Sequence, residues 1–125
     1  MLRDKVAVAT LAVKSLSVAR TFYEGVLGLE SGDDSEPSTI VYRAGSTTIL
    51  VYESQFAGTN RATAATWAVG GELDECVKTL KSKGAAFEHY DMPETKREGD
   101  IHIGGKMRVA WLKDPDGNIH AFTNQ

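Results

Sequence analysis

Cysteine, proline and net positive charge are all scarce in this sequence. Of its 125 residues, one is cysteine and three are proline, and the net charge is −3. The single thiol, Cys76, excludes an internal disulfide framework and fits a reducing compartment, so we expect a cytoplasmic protein. Lys and Arg do not outnumber Asp and Glu in either half of the chain, so we expect no nucleic-acid partner.

Long hydrophobic runs are also missing. No apolar stretch approaches the roughly 20 residues that span a bilayer, so we expect no membrane partner. The apolar run near the N-terminus is short and is interrupted by Lys14, which favours a first strand over a signal peptide. A chain that is 42% hydrophobic and 25% charged, at this length, predicts one globular domain with a real core.

The clearest local pattern is the C-terminal run RVAWLKDPDGNIHAFT, residues 108–123. Val109 to Leu112 favour a strand, and the alternation from Ile119 to Thr123 favours a second one. Between them lies a DPDGN turn, in which Asp114 and Asp116 are typical turn carboxylates and Gly117 supplies a positive φ. The run therefore predicts a β-hairpin.

The first half of the chain predicts the order β-α-β-β-β. Ser15 or Ser17 can cap a helix that begins near Val18. The apolar residues Val18, Phe22 and Val26 recur at helical spacing. The remaining predicted elements are strands over 6–13, 39–42 and 47–52, a weak strand near 29–31, and a polar loop over 31–38.

The second half repeats this order after a linker over 54–63. A strand over 64–69 precedes a helix whose stripe is Leu73, Val77 and Leu80, with Cys76 beside it as a core residue rather than a nucleophile. A strand over 85–90, a long loop over 91–106 and the hairpin complete the half. The sequence thus predicts a single α+β domain in which two βαβββ modules, about 4–53 and 64–125, form a cupped mixed sheet with the helices outside. A cleft between the modules is the expected ligand site.

Three segments carry a family resemblance: residues 11–16 with 19–29 (ARTFYEGVLGL), residues 64–84, and residues 111–122 (WLKDPDGNIHAF). They resemble the vicinal oxygen chelate superfamily, which includes glyoxalase I, the bleomycin and fosfomycin resistance proteins and the extradiol dioxygenases. The resemblance implies paired βαβββ modules, a cleft between them and a homodimer.

That family commonly binds a divalent metal through four His or Glu side chains. When the family's four ligand positions are placed on this sequence through the local motifs, they fall at Val8, Leu50, Ala64 and Ala121. None of these side chains offers an imidazole, thiolate or oxygen donor. We therefore expect no metal and no cofactor.

Strand alternation predicts which other side chains face the cleft. The neighbours two residues away from the four positions include Thr10, Thr48, Tyr52 and Thr66, and resemblance to the antibiotic-resistance members places Trp111 inward with Val109. The predicted ligand-binding residues are Trp111, Tyr52, Thr66, Thr48, Thr10, Val8, Leu50, Ala64, Ala121 and Val109. This lining predicts a flat aromatic or hydrophobic ligand stacked on Trp111. The alternative is that Trp111 and Tyr52 fill the cleft as ordinary core residues.

The three histidines give no catalytic arrangement. His120 is two residues before Phe122, on the same face of the strand, and is predicted to point toward the helices. His89 and His102 are predicted to lie at the surface, with a general-base role for His102 as the alternative.

Three functions remain open from the sequence. The first is a metal-independent protein that binds a small hydrophobic or aromatic molecule. The second is a metal-dependent lyase, isomerase or dioxygenase with a displaced metal site that recruits His89, His102 or a loop carboxylate. The third is an interaction module whose cleft is filled by side chains.

Overall fold

The strands of the first half form a three-stranded sheet. The structure is a computed structural model that describes residues 1–32 and 36–125, so part of the predicted polar loop over 31–38 lies outside the described residues. Strands β1 (Ala9–Val13), β2 (Thr39–Ala44) and β3 (Thr47–Glu53) lie in the order β1-β3-β2. Strand β3 runs parallel to β1 and antiparallel to β2. The predicted weak strand near residue 31 is reduced to a single bridge between Ser31 and Tyr42.

The strands of the second half form a separate, six-stranded sheet with the path β4-β9-β8-β7-β6, and β5 pairs with β8. Its members are β4 (Thr63–Ala68), β5 (Phe87–Glu88), β6 (Lys96–Glu98), β7 (Ile101–Gly104), β8 (Met107–Lys113) and β9 (Ile119–Thr123). The predicted C-terminal hairpin is confirmed. Strands β8 and β9 pair antiparallel, with Val109 opposite Thr123 at one end and Lys113 opposite Ile119 at the other.

Each half contributes one main helix. Helix α1 (Leu16–Arg20) begins at Ser15, whose Oγ accepts from the Val18 N–H at 3.3 Å, and it continues as a π-helix over Thr21–Val26. Helix α2 (Leu73–Ser82) follows a short 3-10 turn over Gly70–Glu72. Within the described part of the chain, no helix is long and apolar enough to cross a membrane.

The predicted apolar stripe of α1 is partly wrong. Val18 is 50% exposed, whereas Ala19 and Tyr23 are buried in the core. Ala19 and Tyr23 are also four residues apart, and it is this face of the helix that packs on the core. The π-helix, in which the Leu27 N–H donates to the Phe22 carbonyl five residues earlier, rotates only the side chains that follow it.

Two further predictions are corrected by the strand boundaries. Strand β1 begins at Ala9 rather than at residue 6, so Val8 lies outside it and is 41% exposed. The predicted loop over 91–106 contains the hairpin β6–β7, which extends the second sheet. Short strands made of charged residues, such as Lys96–Glu98, give no apolar alternation for the sequence to show.

Both hydrophobic cores lie on the helix side of the sheets. The first core joins Ala19 and Tyr23 of the α1 segment to alternate residues of β1, β2 and β3. The second joins Leu73, Val77 and Leu80 of α2 to alternate residues of β7, β8 and β9. The α+β class with outer helices is thus confirmed. The opposite side is called the open face, and its residues include Thr10, Thr48, Leu50, Tyr52, Thr66, His102, Val109, Trp111, Ala121 and Thr123.

Candidate functional site

The turn between β8 and β9 is organised by one buried carboxylate. Asp114, 5% exposed, accepts four hydrogen bonds. Its Oδ1 accepts from the Asp116 and Asn118 N–H groups at 2.9 and 2.8 Å, and its Oδ2 accepts from Asn118 Nδ2 and Tyr23 Oη, both at 2.7 Å. Asn118 Nδ2 also donates to the Ala12 carbonyl at 2.8 Å. The turn therefore ties the second half of the chain to α1 and β1.

The same network fixes the tautomer of His120. Trp67 Nε1–H donates to His120 Nδ1 at 3.0 Å, so the ring proton of the neutral imidazole is on Nε2. That Nε2–H faces Tyr23 Oη at 3.1 Å, and Tyr23 in turn donates to Asp114. His120 is fully buried on the helix side, as predicted from the face that it shares with Phe122.

Burial sets the charge state of this network. Burial, followed by the charge of Asp114, raises the pKa of Tyr23 well above its usual value. Burial lowers the pKa of His120 to about 4, although Asp114 opposes that shift. Both groups are neutral at pH 7 with their hydrogen bonds made, so this cluster is structural rather than a proton-transfer site.

A second aromatic cluster lies on the open face of the second sheet. The rings of Tyr90 and His102 both meet Trp111 edge-on, with centroid distances of 5.3 and 4.8 Å. Trp111 alternates with the core residues Ala110 and Leu112, which is why its indole points away from the helices. This indole is half-buried, and its orientation is fixed by two rings from neighbouring elements.

His102 corrects the prediction of a surface histidine. It is 1% exposed, because it lies in β7 opposite Val109 rather than in a loop. The alternation of Ile101, His102 and Ile103 between two glycine positions is a strand signal that sequence analysis could have used. His89, in contrast, is exposed as predicted.

Polar atoms in this second cluster lack partners. Among the described residues, the buried side-chain atoms without a hydrogen bond are Tyr90 Oη, His102 Nδ1 and Thr123 Oγ1. His102 and Thr123 face the same strand position, since each is paired with Val109 from opposite sides. Buried polar groups are nearly always hydrogen-bonded, so three such atoms on one face distinguish this cluster from the fully paired one at His120.

A depression of about 220 Å³ opens at this cluster. Its lining residues are Arg61, Ala62, Thr63, Tyr90, Trp111 and Ile119. Of these, only Trp111 belongs to the predicted ligand-binding set. Sequence analysis missed Tyr90 because it is the last residue of the predicted strand over 85–90. It missed Arg61 because that residue lies in the predicted linker, where no periodicity marks a side chain as inward.

A second, larger cavity lies between strands of the two halves. It measures about 460 Å³ and is lined by β1, β3 and β4, including the predicted residues Thr48 and Thr66. The structure therefore divides the predicted site between two cavities. Neither lining includes Tyr52 or Leu50, which lie on the open face of β3.

The other predicted residues have varied positions. Ala121 pairs with both Trp111 and Thr66, Val109 lies between His102 and Thr123, and Thr10 pairs with Leu50. Ala64 departs from the predicted alternation. It lies where the β4–β9 register shifts, between Thr63 and Ala65, and it packs against the first hydrophobic core. A bulge of this kind displaces one side chain from its expected face.

The residues do not fit a divalent metal. The positions Val8, Leu50, Ala64 and Ala121 carry only alkyl groups, and the described ranges 1–32 and 36–125 contain no cluster of three His, Cys, Asp or Glu that could hold an ion. His102 Nε2 accepts from the Tyr90 N–H at 3.0 Å, so that lone pair is engaged. His89 lies between Arg97 and Asp100, a carboxylate that Lys81 also binds, which is a poor environment for a cation.

Cys76 is no stronger as a nucleophile. Burial, assisted by the charge of Glu72, raises the pKa of its thiol above the usual value. The reactive thiolate is therefore scarce at neutral pH.

Comparison with known structures places this arrangement among solved proteins of the same fold. The fosfomycin resistance protein FosX from Listeria monocytogenes superimposes with a TM-score of 0.72 at 20% identity, over 96% of this chain and 90% of that chain. A glyoxalase/bleomycin resistance protein/dioxygenase from Alicyclobacillus acidocaldarius gives 0.71 at 19% identity, over 96% and 90%. An integron cassette protein from the mobile metagenome of the Halifax Harbour sewage outfall gives 0.71 at 19% identity, over 97% and 98%.

These likenesses show the fold, and the sequence itself shows the family. No curated protein matches the sequence significantly. The model of the Glyoxalase/Bleomycin resistance protein/Dioxygenase superfamily matches residues 5–122, which is nearly the whole chain and includes both halves and the DPDGN turn. The chain therefore belongs to the Glyoxalase/Bleomycin resistance protein/Dioxygenase superfamily.

Proposed function

We propose that this protein binds a small aromatic or hydrophobic molecule at Trp111, without a metal ion. The observation that supports the proposal most directly is the half-buried indole of Trp111 in the wall of a 220 Å³ depression. An indole offers a large apolar face for stacking, and the edge-on contacts from Tyr90 and His102 hold it in place before a ligand arrives. Less conformational entropy is then lost on binding.

The size of the depression limits the ligand. Sites for drug-sized molecules typically measure about 300–1,000 Å³. At about 220 Å³, the depression suits a molecule of one or two rings. The solved neighbours named as fosfomycin and bleomycin resistance proteins support a small-molecule role for this fold.

Metal independence rests on the chemistry of the side chains. Four alkyl residues stand where the family resemblance calls for His or Glu, and alkyl groups cannot coordinate a divalent cation. We also propose that the protein is a cytoplasmic homodimer, which light scattering on the purified protein would test.

Calorimetric titration tests the binding proposal. The protein is titrated with a panel of single-ring and two-ring aromatic compounds, once in a chelator and once with added Zn²⁺ or Mn²⁺. We expect binding in the chelator that is lost in Trp111→Ala and retained in Val18→Ala, a control that truncates an exposed residue on α1.

Other outcomes would favour the alternatives. Binding only in the presence of metal would support a metal-dependent lyase, isomerase or dioxygenase and overturn the metal-free site. If no compound binds, and Trp111→Ala changes only the free energy of unfolding, Trp111 is a core residue of an interaction module.

A further inference from the structure

Two side chains in contact with Trp111, His102 and Tyr90, each have a buried group that can donate a hydrogen bond. The backbone N–H of Tyr90 donates to His102 Nε2, so the proton of the neutral imidazole is on Nδ1, where it has no partner in the described structure. Tyr90 Oη, on a side chain that lines the depression, is also unpaired. Burial, followed by the nearby charge of Glu88, raises the pKa of Tyr90, so this hydroxyl keeps its proton at neutral pH.

A cationic side chain completes the lining. Arg61 is exposed at the depression, and across residues 1–32 and 36–125 no carboxylate forms an ion pair with it. The two cations of the neighbouring strand β8 are engaged, since Arg108 binds Asp74 at 2.9 Å and Lys113 binds Glu88 at 3.3 Å. In a protein with a net charge of −3, a guanidinium left without an acidic partner beside an aromatic pocket is available for an anionic ligand.

The remaining lining is apolar or neutral. Ile119 and Ala62 provide aliphatic contacts, and the Thr63 side chain is neutral, with Thr63 paired to Ile119 across β4 and β9. The depression therefore combines a flat indole, a short aliphatic patch, a guanidinium with five N–H donors and an unpaired phenol. None of the described residues that line it is a carboxylate that would bind a cationic ligand.

Resting on the proposed function, we infer that the ligand of this site is a small aromatic carboxylate. Its ring stacks against Trp111, its carboxylate accepts paired hydrogen bonds from the Arg61 guanidinium, and a further oxygen accepts from Tyr90 Oη. A guanidinium and a carboxylate match in a planar, two-bond geometry that an ammonium cannot reproduce. Arg61 thus determines the charge specificity, and Trp111 provides the affinity that does not depend on charge.

Three probes of nearly the same shape test the inference by calorimetry at low salt and in a chelator: benzoate, benzamide and benzylammonium. We expect benzoate to bind about tenfold or more tightly than benzamide, and benzylammonium to bind most weakly, because hydrogen bonds to charged groups are stronger than neutral ones. Raising the salt concentration reduces the advantage of benzoate, since Arg61 is exposed.

Variants identify the groups responsible. Arg61→Gln is expected to remove the difference between benzoate and benzamide, and Arg61→Lys to restore only part of it. Arg43→Gln, which removes an exposed arginine of β2, is the matched control and leaves the difference unchanged. Salicylate carries an additional oxygen that can accept from Tyr90 Oη, so Tyr90→Phe is expected to weaken the binding of salicylate about threefold to tenfold.

The outcomes separate this inference from the proposed function. If benzamide binds as tightly as benzoate, and Arg61→Gln changes neither, the carboxylate assignment is wrong while aromatic binding at Trp111 stands. If none of the probes nor any other aromatic compound binds to the wild-type protein, both the assignment and the proposed function are overturned.

Discussion

A tyrosine, a histidine and a tryptophan meet twice in this molecule, and the two groups differ in their hydrogen bonds. On the helix side, Tyr23, His120 and Trp67 have every polar side-chain atom paired, with Asp114 as the final acceptor. On the open face, the polar atoms Tyr90 Oη and His102 Nδ1 are buried, and none of the residues that the structure describes bonds to them.

The difference separates a structural cluster from a binding site built with the same residue types. The paired cluster joins the two halves of the chain through the Tyr23 hydroxyl, whose bonds to His120 and Asp114 would be lost if the halves separated. The unpaired cluster contributes less to stability, because its donors lose hydration without gaining a protein acceptor. Under the proposed function the unpaired donors bind the ligand, and the comparison predicts responses of different size to matched substitutions.

Asp114→Ala is expected to have the largest effect. It deprives four buried or partly buried donors of their acceptor, and each such loss costs about 1–3 kcal/mol, so we expect the free energy of unfolding to fall by at least about 3 kcal/mol. Denaturation in urea measures it. The control is Asp116→Ala in the same turn, which removes only a 3.3 Å bond from the Lys14 N–H and is expected to cost less than about 1 kcal/mol. Equal losses in the two variants would contradict the central role of Asp114.

Acid should weaken the paired cluster through His120. Its pKa is about 4 in the folded protein and 6.5 when unperturbed, so between these values only the unfolded chain takes up the proton. The contribution to stability is complete above pH 6.5 and is lost as the pH falls toward 4, by roughly 3 kcal/mol. Urea denaturation across this range, compared with His120→Gln, isolates the histidine from the carboxylates. The assignment fails if both proteins show the same pH dependence.

Tyr→Phe at the two clusters gives the most direct comparison. Tyr23→Phe leaves His120 Nε2–H without an acceptor and is expected to lower the free energy of unfolding by about 1–3 kcal/mol. Tyr90→Phe removes a hydroxyl with no partner and is expected to change it by less than about 0.5 kcal/mol. Chemical denaturation of both variants under the same conditions measures the two changes in the free energy of unfolding. A large loss in Tyr90→Phe would show that its hydroxyl is bonded in the folded protein.

The smallest expected effect is an increase in stability. Thr123→Val replaces a buried, unpaired hydroxyl with a methyl group of the same shape, so we expect stability to rise by up to about 1 kcal/mol. Thr66→Val, at an exposed position of the same face, is the control and is expected to change stability by less than about 0.5 kcal/mol. The melting temperatures of the two variants test this. Destabilisation by Thr123→Val alone would mean that the hydroxyl has an acceptor.

Much of the fold could be predicted from the sequence because its signals are local. The DPDGN turn, the alternation in β8 and β9, and the stripe of Leu73, Val77 and Leu80 each depend on residues close together in the chain, and all three are confirmed. The family resemblance is confirmed for the same reason, since it rests on these short motifs.

The candidate site was predicted less completely. Trp111 was identified through the family resemblance, but its partners come from distant segments. Tyr90 follows the short strand β5, His102 belongs to a hairpin that was predicted to be a loop, and Arg61 lies in the predicted linker. No local period links these residues. The bulge at Ala64 and the π-helix over Thr21–Val26 also shift side chains away from the regular periods on which sequence reasoning depends.

The sequence by itself determined the α+β class, the family and the alkyl groups at Val8, Leu50, Ala64 and Ala121, because residue types and short periods need no long-range information. Only the tertiary structure decided which histidine is fully paired and which keeps a free donor. Strand register brings His120 to Tyr23 and Trp67, and places His102 against Trp111 with its Nδ1 unpaired. Hydrogen-bond satisfaction depends on atoms far apart in the chain, and it is this property that separates the structural cluster from the proposed binding site.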